Sequence, residues 1–363
     1  MAKKAKSATT SQPEFIADLW RKNVPKGAFR MIDLFAGIGG IRLGFESEGC
    51  VSVFTSEWDK FAQKTYISNY GDIPEGDITK IKEREIPPFD ILLAGFPCQP
   101  FSQAGLKMGL ADTRGTLFFD VARIINHHKP RAVLLENVKR FKTHDGGKTF
   151  NIVKEVLTGM GYKVFSEVLN AKNFGVPQNR ERIYIVGFLG DVEFTFPKPP
   201  NTKTKLGDIL EKSPDSKYTL SDALWAGHKR RKAEHLKNGF GFGYSLFNHD
   251  STYTSTISAR YYKDGSEILV DQKGKNPRKL TPREAARLQG FPESFKLSQS
   301  DSQAYKQFGN SVAVPVVNAI AKQMLKTLKK MGDASAEHQE IDVEKIRKKQ
   351  VSAARKKLKK DKA

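Results

Sequence analysis

The sequence predicts an α/β fold built on a doubly wound, mostly parallel sheet. Short apolar runs typical of buried strands recur in the first half of the chain, at residues 30–34, 51–55, 91–94, 132–135, 162–169 and 182–188. Stretches of helical periodicity lie between several of them, at residues 40–48, 60–69, 117–127 and 149–159. Strands that alternate with helices at this spacing form parallel sheets covered by helices on both faces.

A second, smaller domain is predicted where this alternation stops. The rhythm breaks at Pro197, Pro199 and Pro200, and residues 202–277 are rich in Gly, Lys and Tyr with little apolar periodicity. Helical stretches follow at 281–289 and 314–328. The shift in composition therefore indicates an insert, after which the chain returns to the first domain.

The charge of the chain favours a polyanionic partner. Its formal net charge is +21, and residues 345–363 carry ten Lys or Arg against one acidic residue, so the rest of the chain is still at +12. Such an excess suits nucleic acid, although anionic lipid or simple solubility would explain it as well. The basic, polar start and the lack of a run of eighteen apolar residues predict a soluble, unexported protein.

The two cysteines stand in different settings. Cys98 lies between Pro97 and Pro100 on a loop that follows a predicted strand, whereas Cys50 lies in an apolar, strand-like run. A thiol held on an exposed loop at a strand end is typical of a nucleophile, and a thiol in an apolar run is typical of a core. An inert thiol remains the alternative for Cys98. Two cysteines without a histidine cluster predict no metal site.

A glycine-rich turn predicts a cofactor site. Residues 33–40, DLFAGIGG, run from a strand into a turn and then a helix, although Arg42 stands where a dinucleotide fingerprint has glycine. Glu57 follows Gly37 by twenty residues, where a carboxylate can accept hydrogen bonds from ribose hydroxyls. Asp77 could hold an adenine amino group in the same crevice. A tight turn and surface carboxylates are the alternatives.

Polar side chains near two further strands predict a reactive site beside Cys98. Glu136 follows the predicted strand 132–135, where a carboxyl group could protonate or hydrogen-bond a heterocycle. Arg180 and Arg182 precede the strand 182–188 and could clamp an anion or a carbonyl of the substrate. A capped sheet edge and a structural salt bridge remain the alternatives.

Together these residues resemble the cytosine-5 DNA methyltransferases, especially the compact bacterial modification enzymes. The likeness covers residues 29–328, with six blocks in the order that is found in the family. The blocks are DLFAGIGG at 33–40, GFPCQPFS at 95–102, ENV at 136–138, QNRERIYIVGF at 178–188, RKLTPREAARLQGFP at 278–292 and QFGNSVAVPVV at 307–317.

The resemblance implies a Rossmann-like fold that uses S-adenosylmethionine. Cys98 would add to C6 of a cytosine extruded from the DNA, Glu136 would engage N3 and the exocyclic amine, and Arg180 and Arg182 would help to hold the base. The residues implied around the cofactor are Phe35, Ala36, Gly37, Ile38, Gly39, Gly40, Glu57, Trp58, Asp77, Ile78, Pro97, Leu117, Asn310 and Ser311.

The resemblance also implies how the chain is divided. The insert would be the target-recognition domain, with Ser102, Arg260, Tyr261 and Lys263 as DNA contacts and a short, G·C-rich palindrome that begins with two cytosines as the target. The predicted divisions are a flexible arm at 1–27, the catalytic and cofactor domain at 28–196, the recognition domain at 197–277, hinge and recognition helices at 278–306, a return to the catalytic domain at 307–330 and a basic tail at 331–363.

The expected partner is double-stranded DNA, bound by a cytoplasmic, nucleoid-associated monomer with no membrane contact. A cognate restriction endonuclease is expected in the same system, without a physical complex. Two alternatives remain open at this point: an RNA cytosine-5 methyltransferase on the same scaffold, and a catalytically inactive DNA-binding relative. The first is disfavoured because the Cys-Phe-Thr segment of that branch does not occur. The second is disfavoured because Cys98, Glu136 and Arg182 match the family's motifs.

Overall fold

The computed structural model of the protein describes residues 24–97, 117–239 and 243–332. Within these residues the main sheet has six strands in the order β2-β1-β3-β4-β6-β5. Strands β2, β1, β3 and β4 pair in parallel, and β6 runs antiparallel to both β4 and β5. The strands are β1 (Arg30–Leu34), β2 (Val51–Ser56), β3 (Ile91–Gly95), β4 (Ala132–Val138), β5 (Tyr162–Asn170) and β6 (Glu181–Leu189). The prediction of a mostly parallel sheet is confirmed.

Helices cover both faces of this sheet. One helix follows each of the strands β1 to β4, and a further helix comes late in the chain. The first four are α1 (Gly40–Glu46), α2 (Lys60–Tyr70), α3 (Leu117–His128) and α4 (Lys148–Gly159), and the late helix is α8 (Val314–Met331). On one face, α1 and α8 pack Phe45 and Val317 against Met31 of β1. On the other face, α3 and α4 join a second cluster around Ile32. Alternate residues of β1 thus enter different cores, which is the mark of a doubly wound sheet.

The insert forms a smaller unit beside this sheet. It contains the short strands β7 (Leu246–Phe247), β8 (Leu269–Gln272) and β9 (Lys275–Arg278) and the helix α5 (Asp222–Lys237), and α6 (Pro282–Leu288) and α7 (Asp301–Asn310) follow it. The predicted divisions at 277/278 and 306/307 fall inside β9 and α7. Among the described helices, none has the length and apolar character needed to cross a membrane.

A buried polar cluster lies beneath the glycine-rich turn. Arg42 of α1 donates hydrogen bonds to Glu46 and to the hydroxyl of Tyr66, both at 2.7 Å, and also to Asp72. Asp33 of β1 is fully buried beside this cluster, and neither of its carboxylate oxygens has a hydrogen-bond partner among the described residues. Burial raises the pKa of Asp33 to about 7, although the Arg42 cation acts in the opposite direction.

We therefore expect Asp33→Asn to change how stability depends on pH. The folded chain keeps the Asp33 proton to a higher pH than the unfolded chain does. The free energy of unfolding of the wild type therefore falls as pH rises from about 4 to about 7. Asn cannot ionise, so the variant should gain roughly 2 to 3 kcal/mol relative to the wild type between pH 5 and pH 8. Urea unfolding at both pH values measures this difference, and a difference independent of pH would contradict it. Glu155→Gln, an exposed carboxylate on α4, is the control.

Candidate active site

One edge of the main sheet collects the predicted site residues. The parallel strands β1, β2, β3 and β4 all end there, and because β6 runs in the opposite direction, its amino end lies at the same edge. Gly95 at the end of β3 pairs with Glu136 of β4, and Arg182 at the start of β6 pairs with Val138. The glycine turn, the β3 loop, Glu136 and Arg182 are therefore neighbours, as expected for a crevice at strand ends.

The glycine turn is held by Glu57. The backbone N–H of Gly37 donates to Oε2 of Glu57 and that of Asp59 donates to Oε1, each at 2.7 Å. Gly37 and Gly39 have φ angles of 57° and 81°, a conformation that glycine adopts without a steric penalty. Burial raises the pKa of Glu57, and these backbone donors oppose that rise. The carboxylate thus ties the end of β2 to the turn after β1.

Residues 307–317, which form the last of the six sequence blocks, contact this turn. A Cβ atom added at Gly40 would lie 2.5 Å from Oγ of Ser311, so that the two segments are in close contact. Asn310, the last residue of α7, is exposed beside it. The Trp58 side chain, directly after Glu57, is 74% exposed, which leaves a free aromatic face at this edge.

The remaining predicted cofactor residues lie in several segments. Phe35, Ala36 and Ile38 follow β1 and Pro97 follows β3, whereas Asp77 and Ile78 come after α2 and Leu117 begins α3. The Asp77 carboxylate accepts hydrogen bonds from the backbone N–H and the hydroxyl of Thr79, at 3.1 and 2.8 Å. Ile38 and Ile78 are buried, Phe35, Ala36 and Leu117 are half-buried, and Pro97 is exposed at the end of a described segment. An exposed indole, an oriented carboxylate and a glycine-rich turn fit a nucleoside cofactor, which needs a flat apolar contact and acceptors for its ribose hydroxyls.

The carboxyl group that was predicted to act on the base is that of Glu136. Its Oε1 lies 3.2 Å from Nε of Arg182, and both side chains are mostly buried. Burial raises the pKa of Glu136, whereas Arg182 and Arg180 oppose this rise. The structure places Glu136 inside β4 instead of after it, opposite Tyr184 of β6. A buried carboxyl group that keeps its proton to a higher pH suits proton donation to a heterocycle.

Asn137, which sequence reasoning did not single out as a functional residue, secures the loop after β3. Its side-chain amide donates to the carbonyl oxygen of Phe96 at 2.9 Å, and its side-chain oxygen accepts from the backbone N–H of Val138 at 2.9 Å. The end of the segment that leads to Cys98 is thereby fixed to β4 next to Glu136. The sequence signal that could have identified Asn137 is its place in the ENV block, between Glu136 and Val138.

Arg180, which was expected to help hold the base, has backbone carbonyl groups as its hydrogen-bond partners among the described residues. Its buried guanidinium donates to the carbonyl oxygens of Ile257 at 3.3 Å and Gly309 at 3.2 Å, and also to that of Ser311. Arg182, not Arg180, pairs with Glu136. Burial and the charge of Arg182 lower the pKa of Arg180 to about 9.

Tyr261 is a correction to the predicted DNA contacts. Its side chain is fully buried, its hydroxyl donates to the carbonyl oxygen of Ile268 at 2.7 Å, and it accepts from the backbone N–H of Leu280 at 2.8 Å. Tyrosine supplies a large apolar body with one polar end, and here both are satisfied within the protein. Arg260 and Lys263, on either side of it, are exposed. Tyr261 therefore packs beneath the loop of residues 258–265 and presents no surface to DNA.

Two predicted residues, Cys98 and Ser102, lie outside the described residues, as do the predicted arm before residue 24 and the tail beyond 332. Cys50 is described and buried, and burial raises the pKa of its thiol to about 12. A thiol with such a pKa stays protonated at neutral pH and is a poor nucleophile. This agrees with the interpretation of Cys50 as a core residue.

Known proteins match this arrangement over most of the chain. The family described as C-5 cytosine-specific DNA methylase matches residues 29–326. The type II methyltransferase M.SsoII of Shigella sonnei is 65% identical over 312 residues, which cover 84% of this chain and 82% of that protein. The type II methyltransferase M.NlaX of Neisseria lactamica is 62% identical over 309 residues, covering 84% of this chain and 99% of that protein.

Solved structures agree on the fold. The Entamoeba histolytica methyltransferase EhMeth superimposes with a TM-score of 0.71 at 20% identity, covering 84% of this chain and 99% of that one. The S. pombe Dnmt2 methyltransferase gives 0.70 at 22% identity, covering 83% and 99%.

The chain belongs to the C-5 cytosine-specific DNA methylase family. Within it, the chain groups with type II methyltransferases of bacterial restriction-modification systems, and its enzymatic class is DNA (cytosine-5-)-methyltransferase.

Proposed function

We propose that the chain transfers a methyl group from S-adenosylmethionine to C5 of a cytosine extruded from a short, specific double-stranded DNA sequence, as the modification enzyme of a restriction-modification system. The observation that carries the proposal is the Glu136–Arg182 pair at 3.2 Å, which lies at the sheet edge where the Cys98 loop and the glycine turn also begin. We further propose that the protein acts as a monomer, in the cytoplasm and on nucleoid DNA.

The cofactor would be held by the strand ends described above. When bound, S-adenosylmethionine supplies the electrophilic methyl group. Each carboxylate oxygen of Glu57 already accepts one backbone N–H, which fixes its orientation and leaves a further lone pair for a ribose hydroxyl. The proposed cofactor residues are Phe35, Ala36, Gly37, Ile38, Gly39, Gly40, Glu57, Trp58, Asp77, Ile78, Pro97, Leu117, Asn310 and Ser311.

In the proposed reaction Cys98 is the nucleophile. Its thiolate forms a bond to C6 of the cytosine, and the electrons of the C5–C6 double bond move toward C5 and N3 as Glu136 supplies a proton to N3. C5 then takes the methyl group, and S-adenosylhomocysteine is left. A base removes the C5 proton, the C5–C6 double bond forms again, and the bond between C6 and sulfur breaks, which releases the thiolate. N3 returns its proton to Glu136. Arg182 keeps Glu136 oriented and contributes positive charge to the pocket.

The DNA contacts would come from the exposed side chains of the recognition loop, residues 258–265. Arg260 offers the planar donor pair that recognises guanine, and Lys263 offers a charge for the phosphate backbone. Ser102, four residues after Cys98 in the sequence, is also proposed to contact the DNA.

The test compares substrates. Purified protein is incubated with radiolabelled S-adenosylmethionine and either a library of defined DNA duplexes or transfer RNA, and bisulfite sequencing then locates the marks. We expect 5-methylcytosine at one short sequence in duplex DNA. Methylation of transfer RNA alone would favour the RNA methyltransferase, and no transfer to either substrate would favour an inactive relative.

Loss of the Glu57 carboxylate should weaken the cofactor site. Glu57→Gln keeps the shape of the side chain, but its amide presents only one acceptor oxygen where two backbone N–H groups now donate. We expect about a ten- to hundredfold weaker affinity for S-adenosylhomocysteine, which corresponds to one charged hydrogen bond. Isothermal titration calorimetry measures this change. Glu155→Gln, exposed on α4, should bind like the wild type, and equal affinities for the two variants would contradict the role of Glu57.

A further inference from the structure

One peptide segment of the recognition domain is held from both sides by the residues that precede β6. The backbone N–H of Ile257 donates to Oε1 of Gln178 at 3.1 Å, and its carbonyl oxygen accepts from Nη1 of Arg180 at 3.3 Å. Ile257 directly precedes the recognition loop. The start of this loop is therefore fixed in register to the strand that carries Arg182.

The same two side chains also hold the turn that closes the cofactor site. Nη2 of Arg180 donates to the carbonyl oxygens of Gly309, at 3.2 Å, and Ser311. Gln178 donates to the side-chain oxygen of Gln289 at 3.1 Å, and Gln289 in turn donates to the carbonyl oxygen of Phe308 at 2.6 Å. Gln178, Arg180 and Gln289 are all buried, so these hydrogen bonds are protected from competing water.

Gly309 adds a second contact between the same two segments. A Cβ atom at this position would lie 2.2 Å from the carbonyl oxygen of Ser258 and 2.4 Å from the backbone nitrogen of Ala259. The backbone of the recognition loop thus lies directly against the backbone of the cofactor turn. Ser311, two residues further, reaches Gly40 of the glycine turn.

We propose that Arg180 is a positioning residue that couples DNA recognition to cofactor binding, because a single buried guanidinium holds both the start of the recognition loop and the cofactor turn. This inference rests on the proposed function. When Arg260 engages a base, the recognition loop and the preceding Ile257 move. This movement changes the geometry of the hydrogen bonds that Arg180 donates to Gly309 and Ser311. Because the guanidinium is buried, the loss of a carbonyl partner would leave a charged donor unpaired inside the protein, so the two segments are expected to move together.

Coupling of this kind is reciprocal and measurable. If the target sequence tightens cofactor binding by some factor, the cofactor tightens binding of the target by the same factor. Typical coupling between two sites is about 5- to 150-fold. A purely structural arginine would change the stability of the fold and would leave this factor intact.

The experiment measures the affinity of the full chain for S-adenosylhomocysteine by calorimetry, without DNA, with a duplex that carries the methylated sequence and with a duplex that lacks it. For the wild type we expect the target duplex to tighten binding at least about fivefold over the other duplex. Arg180→Met, which keeps the length of the side chain and removes its donors, should bring this ratio close to one. Arg131→Met is the matched control, because Arg131 also donates to a backbone carbonyl, that of Leu328 at 3.0 Å, but at the opposite edge of the sheet.

A second variant tests the same coupling without removing the arginine. Gly309→Ala places a methyl group against Ser258 and should also reduce the ratio, and it decides the question if Arg180→Met does not fold. Equal affinities with both duplexes in the wild type, or an unchanged ratio in folded Arg180→Met or in Gly309→Ala, would overturn the inference. A wild-type chain that binds no S-adenosylhomocysteine under any condition would instead overturn the proposed function.

Discussion

DNA that carries 5-fluorocytosine at the target position is expected to become covalently linked to Cys98. In the proposed reaction the enzyme is released only when C5 loses its proton, and fluorine cannot leave as a cation, so the reaction stalls after methyl transfer. The complex should survive a denaturing gel and should require S-adenosylmethionine. Cys98→Ser should abolish it, because an alcohol ionises far less readily than a thiol and is a poor nucleophile at this position.

Cys50→Ser is the matched control for this experiment. Cys50 is buried and its pKa is raised to about 12, so its replacement should leave trapping unchanged in a folded protein. Peptide mapping of the adduct identifies the residue that is bonded to the base. An adduct on Cys50, or trapping that persists in Cys98→Ser, would show that the nucleophile has been assigned to the wrong residue.

Glu136→Gln is expected to slow the same trapping by about 10²- to 10⁴-fold, the usual contribution of a positioned general acid or base. The amide is nearly isosteric with the carboxyl group but cannot deliver a proton to N3, and it changes the group that lies 3.2 Å from Nε of Arg182. Single-turnover rates of adduct formation measure the effect. The affinity for S-adenosylhomocysteine should change little, because Glu136 is proposed to act on the base.

Glu167→Gln supplies the comparison on the neighbouring strand. Glu167 is an exposed residue of β5 and pairs with Tyr184 of β6. On its other side, Tyr184 pairs with Glu136 of β4. It should trap at the wild-type rate. If Glu136→Gln trapped as fast as Glu167→Gln, the proposed proton donor would have to lie elsewhere.

The sequence predicts the parallel part of the main sheet well because strands β1 to β4 are buried on both faces. Runs such as 91–94 and 132–135 are almost entirely apolar between polar segments, so their bounds differ from those of β3 and β4 by three residues at most. The carboxyl end of β4 was placed too early because Glu136 and Asn137 are polar. They belong to the strand since β6 supplies ladder partners for them up to Val138.

The insert was predicted less well than the main sheet, for a physical reason. Helix α5 has no apolar stripe, and His228 is its only buried residue, so the periodicity that marks other helices does not occur there. Its start was nevertheless signalled by Ser221, whose hydroxyl accepts from the backbone N–H of Leu224 at 3.3 Å. Tyr261 was misplaced because an aromatic residue in a basic loop suits DNA contact and core packing equally well until burial is known.

The sequence also could not separate the two arginines before β6. Arg180 and Arg182 lie two residues apart, and either one matches the requirement for a cation near a carboxylate. Their roles differ because Arg182 is in β6, with its side chain beside Glu136, whereas Arg180 precedes the strand and reaches backbone carbonyls of distant segments. Such long-range contacts depend on how the insert folds back, which local patterns do not encode.

The reversed direction of β6 limits the route that the chain takes to its insert. β6 ends at the edge opposite the active site, where Gly190 donates to the carbonyl oxygen of Gly161 at 3.0 Å. By Asn201 the chain has returned, since its backbone N–H donates to Asn173 at 3.1 Å. The nine residues of β6 rise about 30 Å at roughly 3.3 Å each, and the eleven steps from 190 to 201 span at most about 40 Å.

The segment of residues 190–201 must therefore run nearly extended, and its composition suits an extended conformation. Its three prolines, among residues 197–200, hold φ near the extended range and have no N–H group that would need a partner. Phe194 and Phe196 are buried against the sheet and anchor the segment along its length. The place where the insert begins is thus set by a short segment of nearly fixed length, which brings the chain back to the edge of the sheet where Glu136 and Arg182 lie.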